Sequence, residues 1–326
     1  MTVVRHPGLP FLQAVSPAFF APVMGIAGLG ISWRIAVGVL GVPAPIGETL
    51  VWIAFAVFAV MAVLFCVKII QQPGGLLDDL RDSRKLVFFP LIPTSLLLLS
   101  IGIRPYDVNY ATYLWIATAP FNLYFAVLLT GRWLFEVHGK SDLSPAWLFP
   151  IVGNGVVPIA GVPLGIVEPS WMFFTIGFVL WIVVFAGLFQ RLVFEELMPG
   201  KLMPSILILL SPPATFFIAY FELTDGVIDP LSYAMFYTSL FLFVVLLVHA
   251  EKLVAVPVSI TIWSLTFPMA ALTIASLLFS KAMVWVGFYW LAAFLLGVTT
   301  FSVSFVVVVS VLALGRYFST APSTGG

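Results

Sequence analysis

Ten stretches of about twenty apolar residues follow one another with little between them, and this leaves one class of fold. They run roughly over 17–40, 48–70, 86–103, 110–133, 145–166, 170–193, 202–223, 230–250, 257–279 and 283–314. Strands of a membrane barrel are about 10 residues long and alternate in polarity, so these continuous runs do not fit a barrel. Inside lipid every backbone N–H and C=O must find a partner within its own segment, which an α-helix achieves. The chain is therefore expected to be an all-α integral membrane protein with ten transmembrane helices. Composition agrees. Of 326 residues, 62% are hydrophobic and 9% charged, where a soluble domain carries about 25% charged residues. Fourteen basic and fourteen acidic side chains cannot clothe a soluble fold of this size. A soluble enzyme, a nucleic-acid binder and a disordered chain are excluded.

The remaining counts narrow the class further. Net charge is zero and no basic block occurs, so no nucleic-acid partner or polybasic lipid patch is expected. The one cysteine, Cys66, lies in an apolar run, which leaves no intrachain disulfide and no cysteine-based metal site. No small-residue cleavage site follows the first apolar run, so no removable signal peptide is expected. The expected organisation is an N-terminal segment 1–16, one transmembrane domain 17–314 and a tail 315–326. The longest linker, about 71–85, carries Asp78, Asp79, Arg81, Asp82, Arg84 and Lys85.

Basic residues fix the expected orientation. Ten spans put both termini on one side, with Arg5, Lys68, Arg81, Arg84, Lys85, Arg132, Lys140, Arg191, Lys201, Lys252 and Arg316. The other side has Arg34, Arg104 and Lys281. Both termini are expected to be cytoplasmic.

Odd and even spans differ in composition. The first holds Pro22, Gly25, Gly28 and Gly30, and the third Pro90 and Pro93. The fifth holds Pro150, Gly153, Gly155, Pro158 and Gly161; the seventh Pro212 and Pro213; the ninth Pro268. Among the even spans only the fourth has a mid-span proline, Pro120. The series 22, 93, 150, 212, 268 has spacings of 71, 57, 62 and 56. It reads as five repeats of a helical hairpin. A mid-helix proline leaves a backbone carbonyl without its donor, which suits protein or water better than lipid. Five bent inner helices around an axis and five straight outer helices are expected.

Chemistry-bearing groups are scarce in mid-span. Almost every Asp, Glu, Lys and Arg falls in a linker or near a predicted helix end. His6, His138 and His249 are terminal, loop or interfacial. No mid-span carboxylate pair, metal cluster, nucleophile–base pair or phosphate-cradling loop is present. The mid-span polar groups are neutral, among them Ser95, Thr118, Asn122, Asn154, Ser211, Thr215, Thr266 and Thr273. Most hydroxyls of this kind bond to a helix carbonyl or pack between helices. Asn154 stands out because an amide is hard to leave unpaired in lipid. Passive or weakly coupled transport fits better than pumping or catalysis.

Four segments carry a family resemblance. They are residues 16–26 (SPAFFAPVMGI), residues 89–93 (FPLIP), Ser211-Pro212-Pro213-Ala214 with Ala219-Tyr220, and residues 263–267 (WSLTF). Residues 147–150 (WLFP) add to them. In order and spacing the chain resembles the tellurite-resistance/dicarboxylate transporter family, which includes bacterial TehA and the plant guard-cell slow anion channels. The resemblance implies ten helices as five hairpins with quasi-fivefold symmetry around a central pore. It also implies a homotrimer in the bacterial inner membrane, with no cofactor or metal. It marks Phe267 as the pore gate. Pore-lining or helix-kink positions are Pro22, Gly25, Pro93, Pro150, Gly153, Asn154, Pro212, Pro213 and Pro268. Pro268 stands where a small residue is familiar, and Val156 and Ala214 stand where some relatives have aromatics.

The function this implies is a gated channel for small monovalent anions such as nitrate and chloride, through an uncharged pore. The alternative is a transporter of C4-dicarboxylates or of tellurite or sulfite oxyanions. A membrane-embedded enzyme or receptor is a third class, disfavoured by the missing catalytic groups. Partners are expected to be inorganic or organic anions and membrane lipid.

Overall fold

The computed structural model describes residues 15–139, 142–254, 260–283 and 285–320. Residues 1–14 of the N-terminal segment, Lys140, the start of the expected ninth span and the last six residues lie outside the described residues. Among the described residues ten helices are long and apolar enough to cross a membrane. They are α1 Pro17–Leu40, α2 Ala44–Gln71, α3 Ser83–Ile103, α4 Val108–Phe135, α5 Pro145–Leu164, α6 Val167–Phe194, α7 Leu202–Leu223, α8 Pro230–Val248, α9 Ile260–Ala282 and α10 Val286–Arg316.

Side-chain caps fix some helix starts: α4 begins at Val108, ahead of its apolar stretch. The Asp107 carboxylate accepts from the N–H groups of Asn109 and Tyr110 at the start of α4. Asp229 accepts from Ser232 N–H at the start of α8. The last helix continues to Thr320, so the expected tail begins as helix. Neither Gly315 nor Arg316 is a stop signal as strong as a proline, and the next proline is Pro322.

The hairpins close into a ring. Each odd helix packs on the even helix that follows it. Each odd helix also touches the next odd helix, and α9 returns to α1. In the odd spans 61–83% of the most apolar stretch is buried, against 11–33% in the even spans. The even helices present their Leu, Val and Phe outward, as a lipid-facing layer requires. The ten-helix, five-hairpin architecture expected from the repeat is thus the fold.

The odd helices change helix type along their length. Four begin as a tighter turn, while α3 opens on one short α turn, Ser83–Leu86, before its tight turns; all five become α-helical partway across. The switch falls after Pro17–Phe20 in α1, Pro145–Leu148 in α5, Gly200–Leu210 in α7 and Ile260–Leu265 in α9. In α3 residues 87–90 form turns closed by three-residue bonds, such as Leu91 N–H to Phe88 O at 3.1 Å. The prolines follow at once. Pro22, Pro150 and Pro212 are second in their α segments, and Pro93, Pro213 and Pro268 third. In the first turn of an α-helix the missing N–H removes no intrahelical bond. The expected loss of a bond four residues back is therefore avoided at these positions. One exception is the pair Pro212-Pro213, which denies Leu209 O both its three-residue and its four-residue donor.

Glycine allows the closest approaches within the ring. A Cβ on Gly25 would overlap the Thr266 side chain, and one on Gly28 would lie 2.8 Å from the Ala270 Cβ. These two positions bring α1 against α9.

Candidate functional site

One large cavity, about 1180 Å³, opens on the side of the linkers that follow the even helices. All five odd helices line it with their N-terminal halves, and each contributes a pair three residues apart. The pairs are Ala21 and Met24, Phe88 and Leu91, Phe149 and Val152, Ile208 and Ser211, and Ser264 and Phe267. Met24, Leu91, Val152 and Ser211 are the innermost lining residues of their helices, and in α9 Phe267 is followed only by Pro268. This quasi-fivefold floor has no ionisable group. Beyond it come fully buried residues such as Val156, Thr215 and Ala271.

Charge is confined to the mouth, and most of it is paired. Lys68 and Asp79, both buried, meet at 3.1 Å, and Lys85 reaches the other Asp79 oxygen at 2.6 Å. Lys68 also donates to Val15 O at 2.7 Å, which ties the chain entering α1 to the rim. Burial works against the Asp79 carboxylate, but bonds from Lys85 and Lys68 outweigh it and hold the carboxyl below its usual range. Arg84 pairs with Asp142 at 2.9 Å. That bond and the Gly139 N–H hold the Asp142 carboxyl low as well. Arg132 donates to Leu80 O and Arg81 O. Trp133 and Trp147 stack at 4.6 Å on the cavity wall. Among the described residues no cluster of His, Cys, Asp and Glu could hold a metal ion.

The residues marked from sequence fall into two places. Phe267 and Pro268 line the cavity floor. The Phe267 ring lies 3.6 Å from the position a Gly28 Cβ would occupy, an ordinary contact distance, so the ring packs against α1 at Gly28. The others stand behind the lining. Gly25 faces Thr266, and Gly153 faces Asn122 and Thr94. Asn154 donates its amide to Pro150 O at 2.7 Å and packs against Gly177 of α6. Pro93, Pro150, Pro212 and Pro213 are buried at the switch points, and Pro22 is partly buried. Met24, Leu91, Val152 and Ser211 escaped sequence reading. Met24 and Val152 follow Pro22 and Pro150 by two residues, whereas Leu91 and Ser211 precede Pro93 and Pro212, so the proline repeat does not index them by one offset.

A ring of five inner helices, all entering from one side around an axial cavity and sheathed by five lipid-facing helices, defines an integral membrane protein of the channel and transporter class. Residues 14–312 match the voltage-dependent anion channel (SLAC1) family, and the chain belongs to that family. Its members are channels and transporters rather than enzymes. It is 26% identical to the S-type anion channel SLAH2 of Arabidopsis thaliana over 93% of this chain and 60% of that protein. It is 30% identical to the guard cell S-type anion channel SLAC1 of the same plant, over 47% of this chain and 28% of that one. The tellurite resistance protein TehA homolog of Haemophilus influenzae is 22% identical over 78% of each chain. The chain thus spans little more than half the length of SLAH2, and less of SLAC1.

Proposed function

We propose that this protein is a gated anion channel that passes small monovalent anions through the axis of the odd helices. One observation carries the reading: five helices bring their N-terminal halves to a single cavity whose floor is uncharged and ends on Phe267. Helix macrodipoles place their positive ends there, which favours anions without a fixed cation. A fixed cation would hold an anion too tightly for fast release. The paired charges at the mouth leave selectivity to dehydration, so nitrate passes before chloride. Phe267 closes the narrow point by bulk and by excluding water, and Pro268 stiffens the turn that carries it. The names of the plant relatives, S-type anion channels, support the same reading.

The protein sits in a bacterial inner membrane with both termini cytoplasmic and the cavity facing the cytoplasm. Residues 17–314 form one transmembrane domain, and the apolar outer layer serves lipid and the contacts of a homotrimer. The test is planar-bilayer recording of the reconstituted chain. Phe267→Ala raises nitrate and chloride current about tenfold, as removal of a barrier of ~1.4 kcal/mol would. Unchanged current from a correctly assembled variant overturns the gate. Saturable, pH-coupled malate uptake without conductance would replace the channel by a carrier for C4-dicarboxylates, and the same assay with tellurite or sulfite tests the oxyanions.

A further inference from the structure

The floor of the cavity contains one side chain whose hydrogen-bonding capacity is unspent. Ser211 is 1% exposed, lines the same cavity as Phe267, and its hydroxyl has no partner. The other four innermost side chains, Met24, Leu91, Val152 and Phe267, have no comparable donor.

Unpaired hydroxyls in a membrane helix usually fold back on the carbonyl one turn earlier. This chain does so repeatedly: Ser32 bonds Gly28 O, Thr118 bonds Leu114 O, Thr273 bonds Met269 O and Thr300 bonds Leu296 O. Ser211 does not. Its backbone N–H takes Ile208 O at the switch from tight turn to α-helix, and its Oγ is left free. Thr130, Thr215, Ser239 and Ser276 also have unpaired buried hydroxyls, but only Ser211 of this group lines the cavity. Thr215 lies one turn deeper on the same face of α7, with its Cγ2 3.0 Å from where a Gly155 Cβ would be.

We infer that Ser211 is the hydrogen-bond donor of the channel neck: its hydroxyl replaces a water of the passing anion's hydration shell, and α7 is the polar rail of an otherwise apolar ring. The inference rests on the anion-channel reading and adds a selectivity-determining residue to it. A buried hydroxyl without a partner is unfavourable, and a passing anion or its water supplies the partner. The gain is larger for a compact anion that holds its water tightly, such as chloride, than for diffuse thiocyanate. Ser211 thus narrows the preference that dehydration alone would give to diffuse anions.

The experiment measures reversal potentials in chloride and thiocyanate with the full chain carrying Phe267→Ala, so that the ring does not mask the neck. Ser211→Val is expected to lower the chloride-to-thiocyanate permeability ratio about tenfold, the worth of one hydrogen bond to a charged group. Ser211→Thr keeps the ratio. Thr and Val have the same shape, so a difference between them reports the hydroxyl and not packing. If Ser211→Val does not assemble, Ser211→Ala against Ser211→Thr gives the same contrast. A ratio unchanged in Val and Ala variants, or lost equally in Thr and Val, overturns the role of Ser211 and leaves the channel standing. No anion current from the Phe267→Ala parent overturns the channel reading itself.

Discussion

Helices α9 and α10 are adjacent in sequence and both apolar enough to span a membrane, yet they face different surroundings. In α9 83% of the most apolar stretch is buried, and in α10 28%. The inner helix starts as a tight turn, carries Pro268 in its first α turn and offers small or hydroxyl side chains to its neighbours. The outer helix is one uninterrupted run of 35 residues. The same contrast recurs in every hairpin. Hydrophobicity places a segment in the membrane but does not say which side of it meets protein. Small residues and early prolines do, because close helix contact needs little side-chain volume and a change of helix type needs a residue that gives up no bond.

Substitutions can break this contrast. The largest effect is expected at the α1–α9 contact. Gly25→Leu would drive a side chain into Thr266, and overpacking of a tight core costs about 1–3 kcal/mol or more. Loss of a folded detergent-solubilised species on size exclusion is the readout. Gly297→Ala on α10 meets nothing within 4 Å and should be neutral or stabilise by up to ~1 kcal/mol. Equal destabilisation by both would erase the inner–outer distinction.

A smaller effect is expected at the rim. Lys68→Met removes the bonds to Asp79 and Val15 O but leaves Asp79 its bond to Lys85. A loss of about 1–3 kcal/mol follows, read as a lowered thermal midpoint. Smaller still is the pH effect. The folded fold holds the Asp79 carboxyl below its ordinary value, so its contribution is full above about pH 4 and fades as pH falls below that. Asp79→Asn should lower the midpoint at pH 7 and flatten the further fall on acidification. A variant with the wild-type acid slope would show that Asp79 does not contribute to it. The smallest effect belongs to the lipid face. Phe301→Leu on α10, 72% exposed, should change stability by less than about 0.5 kcal/mol.

Particular residues show how far sequence reading reached. The prolines from Pro22 to Pro268 marked the inner helices because a proline is tolerated mid-membrane only where its surroundings accommodate it. Apart from Pro268, which lines the cavity floor, they did not mark it, since they stand behind it. Phe267 was legible only through resemblance to a family, being one of 31 phenylalanines. Ser211 was one hydroxyl among many, and the sequence holds no sign that its neighbours leave it unpaired. Lys68 read as a cation at a helix end. Its burial with Asp79 depends on how the linker helix Pro73–Arg81 folds over the rim.

The amino-acid sequence alone determined that the chain crosses a membrane ten times in repeated hairpins, because burial in hydrocarbon and backbone pairing are demands each segment meets locally. Which side chains converge on one axis, at one depth, was decided only by the closing of the ring. Convergence is a relation among five helices far apart in the chain, and no single segment carries it.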